Sequence, residues 1–271
     1  MASVEARHIV TGLFERAKRY WTIAVLGKLV VACFGFFVAI RPSFASALGL
    51  AILIVETASS LCFYRADALK SQAEPVLMRL DLDESLDWPI PKDYVDELSA
   101  DFGKFRDKGQ RIRADDAYFT PGSTMIGLNR LRKNLSESAL YTRTIAAAAR
   151  NVIFTLFAIL FCVVATVLIS GLYRHVFQGT NAAGEFLVTA LLVLVTIDLL
   201  PLGFQYNTLR CEATRTRRVL STLFANAPDA VVMPIAIEYQ LARAVAPLLP
   251  TYAFLKKRFP LGAIWSAEYD Q

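Results

Sequence analysis

Four apolar runs constrain this chain more than any other feature, because each is about as long as the roughly 20 residues a helix needs to cross the hydrocarbon core of a bilayer. They are residues 21–40, 44–64, 152–173 and 186–206. Buried helices of soluble proteins rarely run so far without a polar face. The composition agrees: 55% of the 271 residues are hydrophobic and the mean hydropathy is +0.42, above that of an average soluble domain. The expected fold is an all-α membrane protein with two transmembrane helical hairpins, four spans in all, and helical stalks outside the bilayer.

A cleaved signal peptide is the competing reading of the first run, since Arg16, Lys18 and Arg19 precede it and Ser43-Phe44-Ala45-Ser46-Ala47 resembles a small-residue cleavage site. The run is longer than an ordinary signal core, and a second apolar block comes after only Arg41-Pro42-Ser43. A connection that tight, broken by proline, fits a retained helical hairpin.

The basic residues set the expected orientation. Of the 29 Lys and Arg, 4 precede the first span, 14 lie between the hairpins and 8 come after the last span, whereas the two short connections hold only Arg41 and Arg174. The positive-inside tendency therefore puts both termini and the middle segment in the cytoplasm. The expected layout is a cytoplasmic N-terminal arm over 1–20, a first hairpin over 21–64, a cytoplasmic stalk and loop over 65–151, a second hairpin over 152–206 and cytoplasmic C-terminal helices over 207–271.

The middle segment balances 14 basic against 14 acidic residues and reads as helical stalks joined by a loop, not as a domain with a large core of its own. The second span continues as a helix through Val76, Leu77 and Leu80 until Trp88-Pro89-Ile90-Pro91 breaks it. Lys92 to Phe105 restarts one, with Tyr94, Val95, Leu98 and Phe102 on a face. After Pro121-Gly122, Ser123 or Thr124 can cap a helix carrying Leu128, Leu131, Leu135 and Leu140 toward the third span. Asp81, Asp83, Glu84 and Asp87 look like a solvated charge run. In the tail, Arg210, Arg215, Arg217 and Arg218 ride a helix leaving the membrane. Ala227-Pro228 and Met233-Pro234 punctuate the rest of the tail, and a last helix near 250–265 bears Lys256-Lys257-Arg258. Anchoring to anionic headgroups is the plain meaning of both clusters.

Little here supports catalysis. His8 and His175 are the only histidines and lie far apart in the chain, Cys33, Cys62, Cys162 and Cys211 are not at metal-ligand spacing, and no phosphate-cradling glycine motif occurs. The chain is expected to be no enzyme and to use no cofactor or metal.

The ionisable residues inside the spans are more informative. Lys28, Glu56 and Asp198 are each costly in lipid, by roughly 2.5–3.5 kcal/mol on insertion scales, so each should face protein or water. Lys28 lies 14 residues before Pro42 and Glu56 lies 14 after it, which brings both to one depth; Asp198 is 12 residues beyond Phe186, as Glu56 is beyond Phe44. Small residues share these faces: Ala24, Ala32, Gly35 and Ala39 on the first helix, Ala45, Gly49, Ser59 and Ser60 on the second. The third helix offers Thr155, Cys162, Thr166 and Ser170 as a weakly polar stripe. Lys28 and Glu56 are expected to neutralise each other, which leaves Asp198 without a partner beside Pro201, where it suits a pore constriction built from several copies of the chain.

A second candidate site is the run from Gly103 to Arg113, where Lys104, Arg106, Lys108, Arg111 and Arg113 surround the single acid Asp107, with Phe105, Tyr118 and Phe119 nearby. Cations interleaved with aromatics suit phosphates and stacked bases, and Arg130, Arg132 and Lys133 on the next helix can add to them. A solvated loop is the commoner meaning of such a run.

Two membrane hairpins flanking a cytoplasmic stalk, with Asp116-Ala-Tyr118-Phe119, then Leu128-Asn-Arg130-Leu131-Arg-Lys-Asn134-Leu135-Ser-Glu137-Ser138-Ala139, and Phe14-Glu15-Arg16-Ala17-Lys18 ahead of the first span, resemble the SMODS-associated four-transmembrane-helix pore-forming effectors of bacterial antiphage defence. The resemblance implies a multi-pass protein of the bacterial inner membrane that answers a nucleotide second messenger, made by a partner nucleotidyltransferase, by damaging that membrane. The expected partners are membrane lipid, further copies of the chain (a tetramer being one arrangement) and the nucleotide second messenger or an oligonucleotide made by that nucleotidyltransferase. The competing class is a non-conducting anchor that recruits a soluble cytoplasmic partner.

Overall fold

The structure, a computed structural model, describes residues 2–112, 126–178, 183–223 and 229–250. Among them there is no strand. Seven α-helices run in chain order: α1 (Ala2–Ile40), α2 (Ala45–Leu86), α3 (Lys92–Phe102), α4 (Arg106–Ile112), α5 (Leu128–Gln178), α6 (Ala183–Thr222) and α7 (Asp229–Val245). Helices α1, α2, α5 and α6 are long and apolar enough to cross a membrane, the form in which a spanning segment satisfies its own backbone in lipid. The chain thus has the make-up of a multi-pass membrane protein.

Local chemistry explains the ends. Helix α1 stops ahead of Pro42, which disfavours helical backbone in the residue before it, and the chain passes into α2 through a 3-10 turn over Pro42–Phe44. Helix α2 ends where Asp87 takes a left-handed φ of 57° and its N–H bonds Asp83 O at 3.0 Å. Its neighbour Ser85 also accepts from the N–H of Gly127 at 2.9 Å, a glycine whose φ of 138° few other residues tolerate.

The chain divides into two compact units. One comprises Met1–Arg19, Ala66–Ala147 and Tyr206–Gln271; the other Tyr20–Arg65 and Ala148–Gln205. Two apolar clusters of the first unit are built at helical spacing. Ala6, Ile9, Val10 and Leu13 of α1 meet Ala73, Val76, Leu77 and Leu80 of α2 and Val95 and Leu98 of α3. Leu131, Leu135 and Ala139 of α5 meet Ala213 and Leu220 of α6 and Val232, Ala236 and Tyr239 of α7. The stretches between the second and third spans therefore pack against the N-terminal arm in one cluster and the C-terminal helices in the other, through contacts too distant in sequence for a local reading to reveal.

Asp81 and Glu84 are not solvated: Asp81 is buried, accepts from Gln240 Nε2 at 3.0 Å and faces Arg243 Nη1 at 3.7 Å, while Glu84 pairs with Arg7 at 2.7 Å. Both continue the face that carries Leu77 and Leu80, a periodicity the acidic composition masks. Pro234 does not interrupt the tail either, since α7 runs through it. It sits in the second turn, where its missing N–H forfeits one backbone bond and its ring crowds the carbonyl four residues back. The cap at Ser123 or Thr124 and the helix bearing Lys256-Lys257-Arg258 lie outside the described residues.

In the second unit glycines mark the close approaches. A Cβ on Gly27 would run into Ser59 Oγ, one on Gly35 would come within 2.6 Å of Leu192 Cδ1 and 3.0 Å of Val163 Cγ1, and one on Gly203 within 2.7 Å of Phe154. Trp21 meets Phe63 edge-on at 6.4 Å, and Arg174 Nη2 donates to Ala39 O at 2.7 Å, capping the C-terminal end of α1. Many large apolar side chains of these helices face outward, among them Leu50, Ile54, Ile169 and Leu194.

Candidate functional site

Within the second unit, Lys28 is 1% exposed and bonds Glu56 Oε1, which also accepts from Ser60 Oγ at 3.1 Å. Asp198 Oδ2 stands 3.7 Å from the same ammonium, so Lys28 lies between two carboxylates. The shared depth of the three residues, expected from their spacing about Pro42 and Phe186, agrees with this geometry. The expectation that Asp198 lacks a partner does not: packing of α6 on α1, with Leu192 seated against Gly35, carries Asp198 to Lys28 about two helical turns further along. Asp198 is the outer member of the trio, its side chain 62% exposed against 16% for Glu56. One cation facing two acids leaves a formal charge of −1 in an otherwise apolar layer.

Asp198 shares an outward face of α6 with Leu194, Pro201 and Gln205, all exposed. On α5, Thr155, Cys162 and Thr166 are exposed as well, the two threonine hydroxyls bonding Asn151 O and Cys162 O one turn back. The weakly polar stripe read from the sequence therefore faces outward on that helix.

The first unit holds the cationic site. The segment expected as a loop is a 3-10 turn over Gly103–Phe105 leading into α4. Helical spacing puts Lys104, Lys108 and Arg111 on one side, at i, i+4 and i+7. Arg106 projects elsewhere and pairs with Glu5 at 3.1 Å; Ser99 Oγ donates to the same carboxylate at 2.9 Å, and these bonds hold the Glu5 carboxyl below its ordinary value. Helix α4 lies directly on α1, because a Cβ on Gly109 would collide with the His8 carbonyl and one on Gly12 with the Phe105 carbonyl. The glycine crossing delivers Lys104, Lys108 and Arg111 to Arg19, and with Asp107 these line an open groove of about 520 Å³. Partial burial, then Arg19 and Arg16, push the Lys108 ammonium below the usual lysine value, against the opposing pull of Glu15.

Three expected ligand residues, Lys104, Lys108 and Arg111, are thus brought together. Arg106 turns away to Glu5, Arg130 sits in the first turn of α5 and is not among the groove's lining residues, and Arg113 and Tyr118 lie outside the described residues. Sequence reasoning missed Arg19. Its signal was there in the helical spacing of Gly12, Arg16 and Arg19, but only a crossing at Gly12 gives that spacing meaning. No protein-family model, curated protein or solved structure matches the chain.

Proposed function

We propose that the protein is an oligomeric effector of the bacterial inner membrane that forms a gated ion path and acts without catalysis. In this reading the four spans form two hairpins, both termini and the middle segment are cytoplasmic, and a nucleotide-type ligand controls conduction, so that triggering disrupts the membrane in antiphage defence. One observation carries it: Asp198, a carboxylate more than half exposed beside Lys28, stands in the middle of an apolar helix where lipid would make it costly. Copies of the chain assembled around a water-filled centre would hydrate that charge and use it to favour cations. The outward Thr155, Cys162 and Thr166 supply weakly polar surface of the same kind.

The experiment is conductance of the purified full-length protein in planar bilayers, parent against Asp198→Asn. The Asn variant keeps the shape and removes the charge, so reduced cation preference is expected with insertion unchanged. Absence of current under every condition, together with identical behaviour of the two proteins in cells, would overturn the reading.

A non-conducting anchor is the second reading, favoured by α3, whose exposed Asp93, Asp96, Glu97 and Asp101 give one helix face a concentrated negative charge. A face of that kind suits a soluble basic partner.

A further inference from the structure

We infer that α1 and α4 together form a binding site for a phosphate-bearing anion, held by Arg19, Lys104, Lys108 and Arg111. The inference deepens the proposed function, since it names the seat and chemistry of the controlling ligand.

The cations come from two segments far apart in sequence, and bringing them together is unfavourable unless something compensates. Like charges lining one groove repel, and the Lys108 ammonium is depressed first by its partial burial and then by Arg19 and Arg16. Apolar packing alone does not require the clustering. The main-chain contact at Gly12 and Gly109 fixes the crossing, and the residues one and two turns further along α1 set what faces α4 there. Those positions hold Arg16 and Arg19. Among the described residues, no ion pair within 4.0 Å joins Arg19, Lys104, Lys108 or Arg111 to a carboxylate; Asp107, on the groove wall, is 3.9 Å from Arg106 Nε instead.

The geometry selects the ligand class. Two guanidinium forks can each take a pair of phosphate oxygens, while two ammonium groups act as point charges beside them. Four cations against one acid leave a formal excess of +3, which matches an anion of two or three negative charges such as a pyrophosphate or nucleotide phosphate group. The groove volume of about 520 Å³ lies within the usual range for small-ligand sites, roughly 300–1,000 Å³. Phe105, with Lys104 Nζ 5.4 Å from its ring centre, adds an aromatic at the edge. Arg19 immediately precedes Tyr20 and Trp21, where the apolar run of α1 begins, and such aromatics belong at the headgroup level of a bilayer. The same phosphate chemistry can therefore be presented by a soluble nucleotide or by an anionic lipid headgroup.

The test uses the full-length protein in a neutral detergent. Pyrophosphate and ATP are titrated calorimetrically, and retained phosphatidylglycerol is measured by native mass spectrometry after extraction from membranes. The variant is Lys104→Gln with Arg111→Gln, both side chains being exposed so that folding is spared; the control is Lys92→Gln, an exposed lysine outside the groove. Binding of pyrophosphate or ATP by the parent, weakened at least about tenfold in the double variant and unchanged in the control, assigns the site to a soluble anion. Retention of phosphatidylglycerol by parent and control, lost in the double variant, assigns it to a headgroup. Equal binding and retention in parent and double variant overturns the site, as does a parent that takes neither ligand. Because binding is read apart from current, a silent bilayer with an intact anion site sinks the pore and spares this inference.

Discussion

The Lys28 ammonium stands 3.7 Å from the Asp198 carboxylate while it bonds Glu56. A simple two-residue charge swap therefore does not restore the arrangement. Lys28→Glu with Glu56→Lys recreates one pair but sets the new carboxylate beside Asp198. We expect either single reversal to abolish recovery of monodisperse protein from detergent extracts, since an unpaired buried charge costs about 3–5 kcal/mol. The double reversal should recover part of the yield, and adding Asp198→Asn most of it. A double reversal that matches the parent would show that Asp198 exerts no force on Lys28.

Helix α4 owes its seat to two glycines, so a side chain at either should lift it. Gly109→Ala and Gly12→Ala place a methyl against main-chain carbonyls, which, unlike the end of a flexible side chain, cannot swing aside. Overpacking of this kind typically costs about 1–3 kcal/mol. The expected sign is faster tryptic cleavage at Lys104 and Lys108 in folded protein, with the apolar spans as protected as before. Unaltered cleavage would mean that α4 is held by other contacts.

Asp81 gives the first unit a pH dependence of unusual direction. Burial lifts its carboxyl to about 6, against the opposing pull of Arg243 and the Gln240 amide, with Glu74 and Glu84 adding to the rise. A raised acid binds its proton more tightly in the folded state than in the unfolded one, where the value is 3.8. Its contribution therefore favours folding at low pH and is lost as pH rises between about 4 and 6. Asp81→Asn should flatten that part of the stability profile and raise the unfolding midpoint at pH 7, by roughly 1–3 kcal/mol equivalent. Thermal unfolding in nanodiscs across pH 4–8 reads both effects. An Asn variant with the parent's slope would assign the dependence to another group.

Anion binding in the α1–α4 groove should weaken at alkaline pH, and earlier than ordinary lysines would dictate. The free groove holds Lys108 below its usual value, and a bound anion would raise it, so binding takes up a proton once the free ammonium has begun to lose its own. Affinity then falls as pH rises from the free value of Lys108 through the bound one. Lys108→Arg, which stays charged, should move the fall upward in pH; identical profiles for the two proteins would remove Lys108 from the site.

Whatever depends on distance along the chain could be read without the fold. The four spans come from length and apolarity, and the meeting of Lys28 with Glu56 from equal spacing about Pro42. The meeting of Lys28 with Asp198 depends on the approach of α6 to Gly35, for which one glycine among small residues is no signal. Asp81 was hidden for a different reason. In an acidic stretch a buried carboxylate looks like its solvated neighbours until its partners appear, and those partners, Gln240 and Arg243, lie on α7. Arg19 was hidden because its helical spacing from Gly12 gains meaning only once α4 crosses there.

Lys70 holds α7 by its main chain, donating to the carbonyl oxygens of Arg243 at 2.7 Å and Ala244 at 2.8 Å. A bond to the backbone is indifferent to the side chain it passes, so Ala244 can be exchanged freely as far as this contact is concerned. It is not indifferent to length. One residue added or removed between Asp229 and Arg243 turns the end of the helix by about 100° and points both carbonyls away from the ammonium. Lys70 therefore works as a gauge of the helix it grips: it tolerates drift in composition and rejects a change in count.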